Sequence, residues 1–191
     1  MQQKKLDPST PIVHMGDLTL GDFWSWAYSD LLSNGNRSVF AEFIVGTALG
    51  ATATPRREWD AVDLRYGDKA IEVKASAYTQ SWAPSVKPSP IRFDIGKKLG
   101  WDAATNTSGT MPARAADCYV FCLHNERDRE QALARILDVA SWEFYVVATP
   151  ELERLYKDQK SLQLSRLLSH CAPVTYDSLK AAVDAALTLP S

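Results

Sequence analysis

Trp59-Asp-Ala-Val-Asp-Leu-Arg-Tyr-Gly-Asp-Lys-Ala-Ile-Glu-Val-Lys-Ala-Ser76 is the stretch that decides the fold, because its pattern predicts a β-hairpin. Two runs of alternating apolar and polar residues flank Gly67-Asp68, a pair suited to a two-residue loop whose first position needs a positive φ. The turn also predicts the register of the two strands. Leu64 is expected opposite Ile71, and Asp63 opposite Glu72.

The two faces of this hairpin predict different environments. The polar face carries Asp63, Glu72 and Lys74, and directly opposite Cβ atoms are about 5 Å apart. Two opposed carboxylates repel each other, so a cation between them is the simplest way to stabilise this face. The other face is predicted to join the core, and its members are Val62, Leu64, Tyr66, Ile71, Val73 and Ala75.

A divalent metal suits the polar face. Asp63 and Glu72 supply hard oxygen ligands, the backbone carbonyl of Val73 adds another, and waters with substrate phosphate complete the shell of Mg²⁺ or Mn²⁺. Lys74 can orient an attacking water or stabilise charge that grows on phosphorus. These residues therefore predict hydrolysis of phosphodiester bonds. The alternative is an exposed face on which Glu72 pairs with Arg65 or Lys74, each pair worth under about 1 kcal/mol.

The hairpin resembles the PD-(D/E)XK, or restriction-endonuclease-like, nuclease superfamily. The matching residues are Asp63 and Glu72-Val73-Lys74, which stands as Glu-X-Lys on the second strand. Glu42 resembles the acidic residue that many members carry on the helix before the first core strand. Gln80 resembles a glutamine that some branches place after Glu-X-Lys. The chain departs from the pattern at Val62, where no proline precedes the aspartate.

The resemblance implies a Mg²⁺-dependent nuclease that acts on DNA. Glu42 would make a water-mediated metal contact or an orienting hydrogen bond to Lys74, and Gln80 would complete the catalytic set with Asp63 and Glu72. Glu42 also has a simpler interpretation, as the polar edge of a mostly apolar helix. Because some superfamily members have lost activity, an inactive nucleic-acid-binding or assembly module on the same fold is the alternative function.

Length and composition indicate one domain that spans residues 1–191. Helices, a hairpin, further strands and more helices follow one another, which predicts an α/β or α+β fold with an N-terminal helical pair and C-terminal helices. The resemblance adds a central mixed β-sheet of four or more strands flanked by helices. Residues 1–17 are expected to be loose, and residues 96–116 to form a mobile loop, with plain disorder as the alternative.

Charge is distributed unevenly along the chain. The whole protein has a formal charge of −2, but residues 51–114 hold ten Lys or Arg against seven Asp or Glu, a net +3 that leaves −5 elsewhere. A locally basic face is enough to bind the phosphates of DNA around a metal. A homodimer is compatible with this pattern. The residues predicted to contact nucleic acid are Arg56, Arg57, Lys97, Lys98 and Arg114.

Cysteine usage and hydropathy indicate the compartment. Cys118 and Cys122 fall on one face of an apolar strand, so we expect buried thiols rather than metal ligands. The N-terminus has no apolar run behind its lysines, and no uncharged apolar stretch reaches about 18 residues. A cytoplasmic protein without a secretory signal or membrane span is therefore expected.

Apolar periodicity predicts the remaining elements. The large aromatic residues of helix 18–32 are assigned to the core rather than to a base-stacking surface. Residues 125–139 are compatible with a helix or with a turn and a strand. The other predicted elements are helices at 36–49, 151–170 and 176–187, and strands at 91–95, 117–124 and 141–148.

Overall fold

A computed structural model describes residues 4–58, 60–82, 90–102 and 107–188 of the chain. Its strands are β1 (Leu64–Tyr66), β2 (Lys69–Ala77), β3 (Arg92–Asp94), β4 (Trp101–Asp102), β5 (Thr107–Ser108), β6 (Cys118–His124), β7 (Trp142–Ala148) and β8 (Ser161–Gln163). Its helices are α1 (Leu20–Tyr28), α2 (Asn34–Ala48), α3 (Arg129–Arg135), a 3₁₀ turn (Val139–Ser141), α4 (Thr149–Tyr156), α5 (Leu164–Leu168) and α6 (Tyr176–Leu187).

The centre of the molecule is a four-stranded mixed sheet in the order β1-β2-β6-β7. The strands of the hairpin, β1 and β2, are antiparallel, whereas β6 runs parallel to β2, and β7 runs antiparallel to β6. Helices and short strands cover both faces of the sheet. The predicted mixed sheet flanked by helices is confirmed.

The sheet is buried on both faces because its strands alternate apolar residues toward two separate clusters. Ile71 and Val73 of β2 face the cluster formed with α2 and α6, whereas Phe121 of β6 faces a cluster with β3, α4 and β8. Glu72 and Lys74 have the opposite parity to Ile71, so they lie on the second face. Val62 joins the second cluster, not the first as predicted, because the chain leaves the sheet before Leu64.

The hairpin turn has the predicted geometry. Gly67 adopts a φ of +61°, a left-handed conformation that favours glycine. The register pairs Leu64 with Ile71, Arg65 with Ala70 and Tyr66 with Lys69, as the two-residue loop requires. The regular pairing ends at Leu64, so Asp63 precedes the strand instead of continuing it.

The predicted burial of the first helix is wrong for most of its aromatic residues, although Leu32 at the end of the predicted 18–32 segment is buried. The helix spans only Leu20–Tyr28, and none of its residues is buried. Trp26 is 85% exposed, and Phe23 and Tyr28 are also exposed. An amphipathic pattern indicates that a face is apolar, but contacts with distant parts of the chain decide what covers it.

The predicted helix at 151–170 is interrupted in the structure. After α4, residues 161–163 form β8, which pairs antiparallel with β3 and buries Leu162. The short helix α5 then follows. The helix at 176–187 is confirmed, and the 125–139 segment adopts the helical alternative as α3.

Backbone hydrogen bonds occur in the N-terminal segment and in the described part of the 96–116 segment. Pro11 and Thr19 form an isolated bridge, and the amide of Leu20 donates to the carbonyl of Thr10, so residues 10–20 double back on themselves. In the 96–116 segment, β4 pairs with β5, and Lys98 pairs with Ala113. Residues 103–106 of the predicted mobile loop lie outside the described residues.

Cys118 and Cys122 are buried free thiols in β6, as predicted. None of the helices in the described ranges is both long and apolar enough to cross a bilayer.

Arg114 is a buried structural residue, which differs from its predicted contact with nucleic acid. Its guanidinium has no exposed side-chain surface, and it forms an ion pair of 2.8 Å with Glu153. It also donates to four backbone carbonyls, those of Ile95, Tyr156, Lys157 and Gln159. These bonds connect Arg114 to the end of α4 and to the residues that follow it. Because the guanidinium is buried there, its position does not support a contact with phosphate.

Replacing Arg114 with Met is expected to lower the free energy of unfolding by about 2–4 kcal/mol, because buried carbonyls and Glu153 lose their partner. Urea denaturation measures this loss. Arg92→Met is the control, since Arg92 is an exposed arginine on β3 and its loss should cost less than about 0.5 kcal/mol. Unchanged stability combined with weaker DNA binding would favour the original interpretation of Arg114.

Candidate active site

The predicted catalytic residues of the hairpin lie at the end away from the turn, where β2 continues past its pairing with Leu64, the first residue of β1. Since β1 has three residues and β2 has nine, the outer edge of β2 has no β1 partner beyond Ile71. Asp63 occupies this position, and its Oδ2 accepts a hydrogen bond of 2.7 Å from the amide of Val73. The carboxylate of Asp63 therefore takes the amide that a continuing strand would have bonded.

Glu72 and Lys74 form a partly buried ion pair on β2. The ammonium of Lys74 lies 2.5 Å from Oε1 of Glu72, and Lys98 approaches the same oxygen at 3.8 Å. Burial, and then the charge of Asp63, raises the pKa of Glu72 above its ordinary value, although Lys74 and Lys98 oppose the rise. The charge of Asp63 thus disfavours the ionised form of Glu72, as expected of two neighbouring carboxylates.

Lys74 remains an ammonium ion at neutral pH. Burial by itself would lower its pKa, but the charges of Glu72, Asp63 and Asp94 outweigh burial and raise the pKa above the ordinary value. Lys74 is consequently suited to orient a water or to stabilise negative charge, and not to accept a proton.

Glu42 bonds Arg56 rather than Lys74, which was one of its two predicted contacts. It is 6% exposed on α2, and Arg56 binds both of its carboxylate oxygens at 2.5 Å and 2.8 Å. Burial raises the pKa of Glu42; the Arg56 hydrogen bond opposes that rise, whereas the charge of Asp63 adds to it. Glu42 is thus near Asp63 and Lys74, but its direct bond is to Arg56 rather than to Lys74.

Gln80 bonds away from the carboxylates. Its side-chain nitrogen donates to the carbonyl of Ala77 at 3.1 Å, and its side-chain oxygen accepts from Arg37 at 3.1 Å. Arg37 is itself buried at the start of α2, where it also donates to the carbonyl of Leu32. In the described structure, Gln80 therefore supports the α2 N-terminus and makes no bond to Asp63, Glu72 or Lys74.

The predicted nucleic-acid contacts divide into several environments. Arg56 is bound to Glu42, and Lys97 forms an ion pair with Glu153 at 3.2 Å. Lys98 lies at the site, between Glu72 and Asp94. Arg57 is exposed and has no ion pair among the described residues.

Asp94 adjoins the site, although its sequence context did not predict this. Asp94 lies 3.7 Å from Lys98 and contributes to the raised pKa of Lys74. The spacing of Asp94 and Lys98 was a weak signal, since four residues separate many surface ion pairs. Only the packing of β3 against β2 shows that this pair adjoins the hairpin.

The donor set fits a cation that keeps most of its ligands as water. Among the described residues, Oδ1 of Asp63 and Oε2 of Glu72 accept no hydrogen bond, so each carboxylate has one oxygen available. No group of three or more His, Cys, Asp or Glu in the described ranges is arranged to hold a metal. Mg²⁺ usually keeps several water ligands and takes only one or two carboxylates, so Asp63, Glu72 and the carbonyl of Val73 suit it.

No family model, curated protein or solved structure matches this chain. The candidate site is therefore defined by its own geometry and by the resemblance of its residues to the PD-(D/E)XK pattern.

Proposed function

We propose that the protein is a Mg²⁺-dependent nuclease that hydrolyses phosphodiester bonds of DNA. The observation that carries the proposal is the cluster at the open end of the hairpin, where Asp63 and Glu72 repel each other and Lys74 lies against Glu72. Two neighbouring carboxylates and a partly buried ion pair lower the stability of the fold, so their presence favours a functional role. The resemblance to Asp…Glu-X-Lys supports the same conclusion.

The residues have separate roles in this proposal. Asp63, Glu72 and the carbonyl of Val73 would hold Mg²⁺, and a bound metal would supply positive charge to the reacting phosphate. Lys74 orients the attacking water through its ammonium group. Glu42 and Arg56 form the wall beside Asp63, and Arg56 supplies positive charge there.

Cleavage of supercoiled plasmid and of a labelled single-stranded oligonucleotide tests the proposal. We expect nicked or shortened products when Mg²⁺ or Mn²⁺ is present, and intact DNA when the metal is chelated, because the carboxylates of Asp63 and Glu72 repel phosphate unless a cation neutralises them. The absence of products from both substrates, with either metal and with protein shown to be folded, would reject nuclease activity.

A non-catalytic nucleic-acid-binding module on this fold is the second candidate. One observation favours it, namely that Glu42 and Glu72 already bond Arg56 and Lys74 within the chain. In that case DNA would bind, but no heat of metal binding and no products would be measured.

A further inference from the structure

A cavity of about 580 Å³ lies between α2 and the segments 51–57 and 60–65. This volume falls within the range of about 300–1,000 Å³ that is typical of small-molecule sites. We call it the α2 cavity, and its wall includes Phe43, Arg57, Val62, Asp63 and Arg65. The same wall contains Glu42 and Arg56, so the cavity opens beside the candidate active site.

Positive charge slightly exceeds negative charge along this cavity. Lys5, Arg56, Arg57 and Arg65 line it together with three carboxylates, Glu42, Asp60 and Asp63, and Glu42 is bound to Arg56. Arg57 and Arg65 are exposed, and neither forms an ion pair with any described residue. Lys5 also lines the wall and is likewise exposed without an ion pair in the described part of the chain. Cations that the protein leaves unpaired around a concave surface favour an anionic ligand, and phosphate groups are the anions that guanidinium binds best.

An exposed aromatic ring completes the cavity. Phe43 is 54% exposed on α2, although its neighbours Ile44 and Val45 are buried in the core. Val62 supplies further apolar surface in the same wall. A flat ring beside arginine side chains is the usual platform on which an unpaired nucleic-acid base stacks.

We propose that the α2 cavity binds the base of one unpaired nucleotide adjacent to the scissile phosphate, which makes single-stranded or unpaired DNA the substrate class. Phe43 stacks on the base, and Arg57 and Arg65 contact the neighbouring phosphates. A paired base enters such a cavity only after it leaves the duplex stack, which costs a few kcal/mol, whereas an unpaired base does not incur that cost. The inference rests on the proposed nuclease function.

Fluorescence anisotropy without metal tests this inference independently of cleavage. We expect the protein to bind a labelled single-stranded oligonucleotide at least about 10-fold more tightly than the duplex of the same sequence. Phe43→Ala should weaken single-strand binding by about 5- to 100-fold and leave duplex binding unchanged. Leu133→Ala is the matched control, because Leu133 is 57% exposed on α3 and does not line the cavity.

The outcomes separate the two proposals. Equal binding of single strand and duplex, or equal effects of Phe43→Ala and Leu133→Ala, would overturn the assignment of the α2 cavity even if the protein cleaves DNA. A single-strand preference that depends on Phe43 would support the assignment of the cavity. This holds even if the protein cleaves no DNA with either metal, a result that would reject only the nuclease proposal. Because Phe43 is exposed, its replacement is expected to leave the fold intact, which circular dichroism verifies.

Discussion

Lys74→Met is expected to lower the rate of metal-dependent DNA cleavage by about 10²- to 10³-fold, the range for loss of one preorganised charge-stabilising group. Met keeps most of the apolar stem of Lys74 and removes only the ammonium that lies 2.5 Å from Glu72. Single-turnover cleavage of a labelled oligonucleotide measures the rate, and thermal unfolding shows that the variant remains folded.

Lys69→Met is the matched control for this experiment. Lys69 also lies on β2, but its ammonium faces Asp68 and Asp117 at the other end of the strand. Its replacement should change cleavage by less than about twofold, since exposed ion pairs contribute little. If Lys74→Met cleaves DNA at the rate of the unmodified protein, Lys74 has no role in catalysis. Glu72 and Lys74 would then be interpreted as a structural ion pair.

Glu72→Gln and Asp63→Asn are each expected to abolish measurable binding of Mg²⁺ and Mn²⁺. Each change removes one of the two charged ligands. Loss of a hydrogen-bond partner of a ligand lowers metal affinity by about 10- to 100-fold, and loss of the ligand itself should lower it further. Isothermal titration calorimetry with the metal alone measures this effect without DNA. Both variants should stay folded, because Gln and Asn keep the shapes of Glu and Asp, and each change removes one of two like charges; thermal unfolding verifies this.

Asp68→Asn provides the control for metal binding. Asp68 belongs to the same hairpin, but its side chain is 89% exposed in the turn and lies outside the carboxylate cluster. The heat of metal binding measured for Asp68→Asn should equal that of the unmodified protein. If the unmodified protein gives no heat with either metal, the non-catalytic module becomes the better description of the chain.

Local sequence predicted the part of the site that lies on the hairpin. Alternation along a strand has a period of two, so Glu72 and Lys74 necessarily share a face, and a two-residue turn at Gly67 sets the register. Asp63 was predicted opposite Glu72, and it does reach β2, although through its side chain rather than through strand pairing.

The surroundings of the hairpin were less accessible to prediction. Arg56 was assigned to nucleic acid, and the structure shows that it also pairs with Glu42, while Arg114 is buried against Glu153 and the end of α4. Gln80 follows Glu-X-Lys at the spacing of the resemblance, yet it bonds Arg37. In each case the residue type was informative, but its partner lies in another segment of the chain.

The sequence by itself therefore determined the hairpin, its register and the side chains that share its polar face, because these properties depend on φ and ψ preferences over fewer than about 20 residues. Only the tertiary structure decided that α2 brings Glu42 to Arg56 and that Lys98, which follows β3, lies between Glu72 and Asp94. It also decided that Phe23, Trp26 and Tyr28 of α1 are exposed. The physical reason is that burial and ion pairing are set by contacts between distant segments, and local periodicity carries no information about which segments meet.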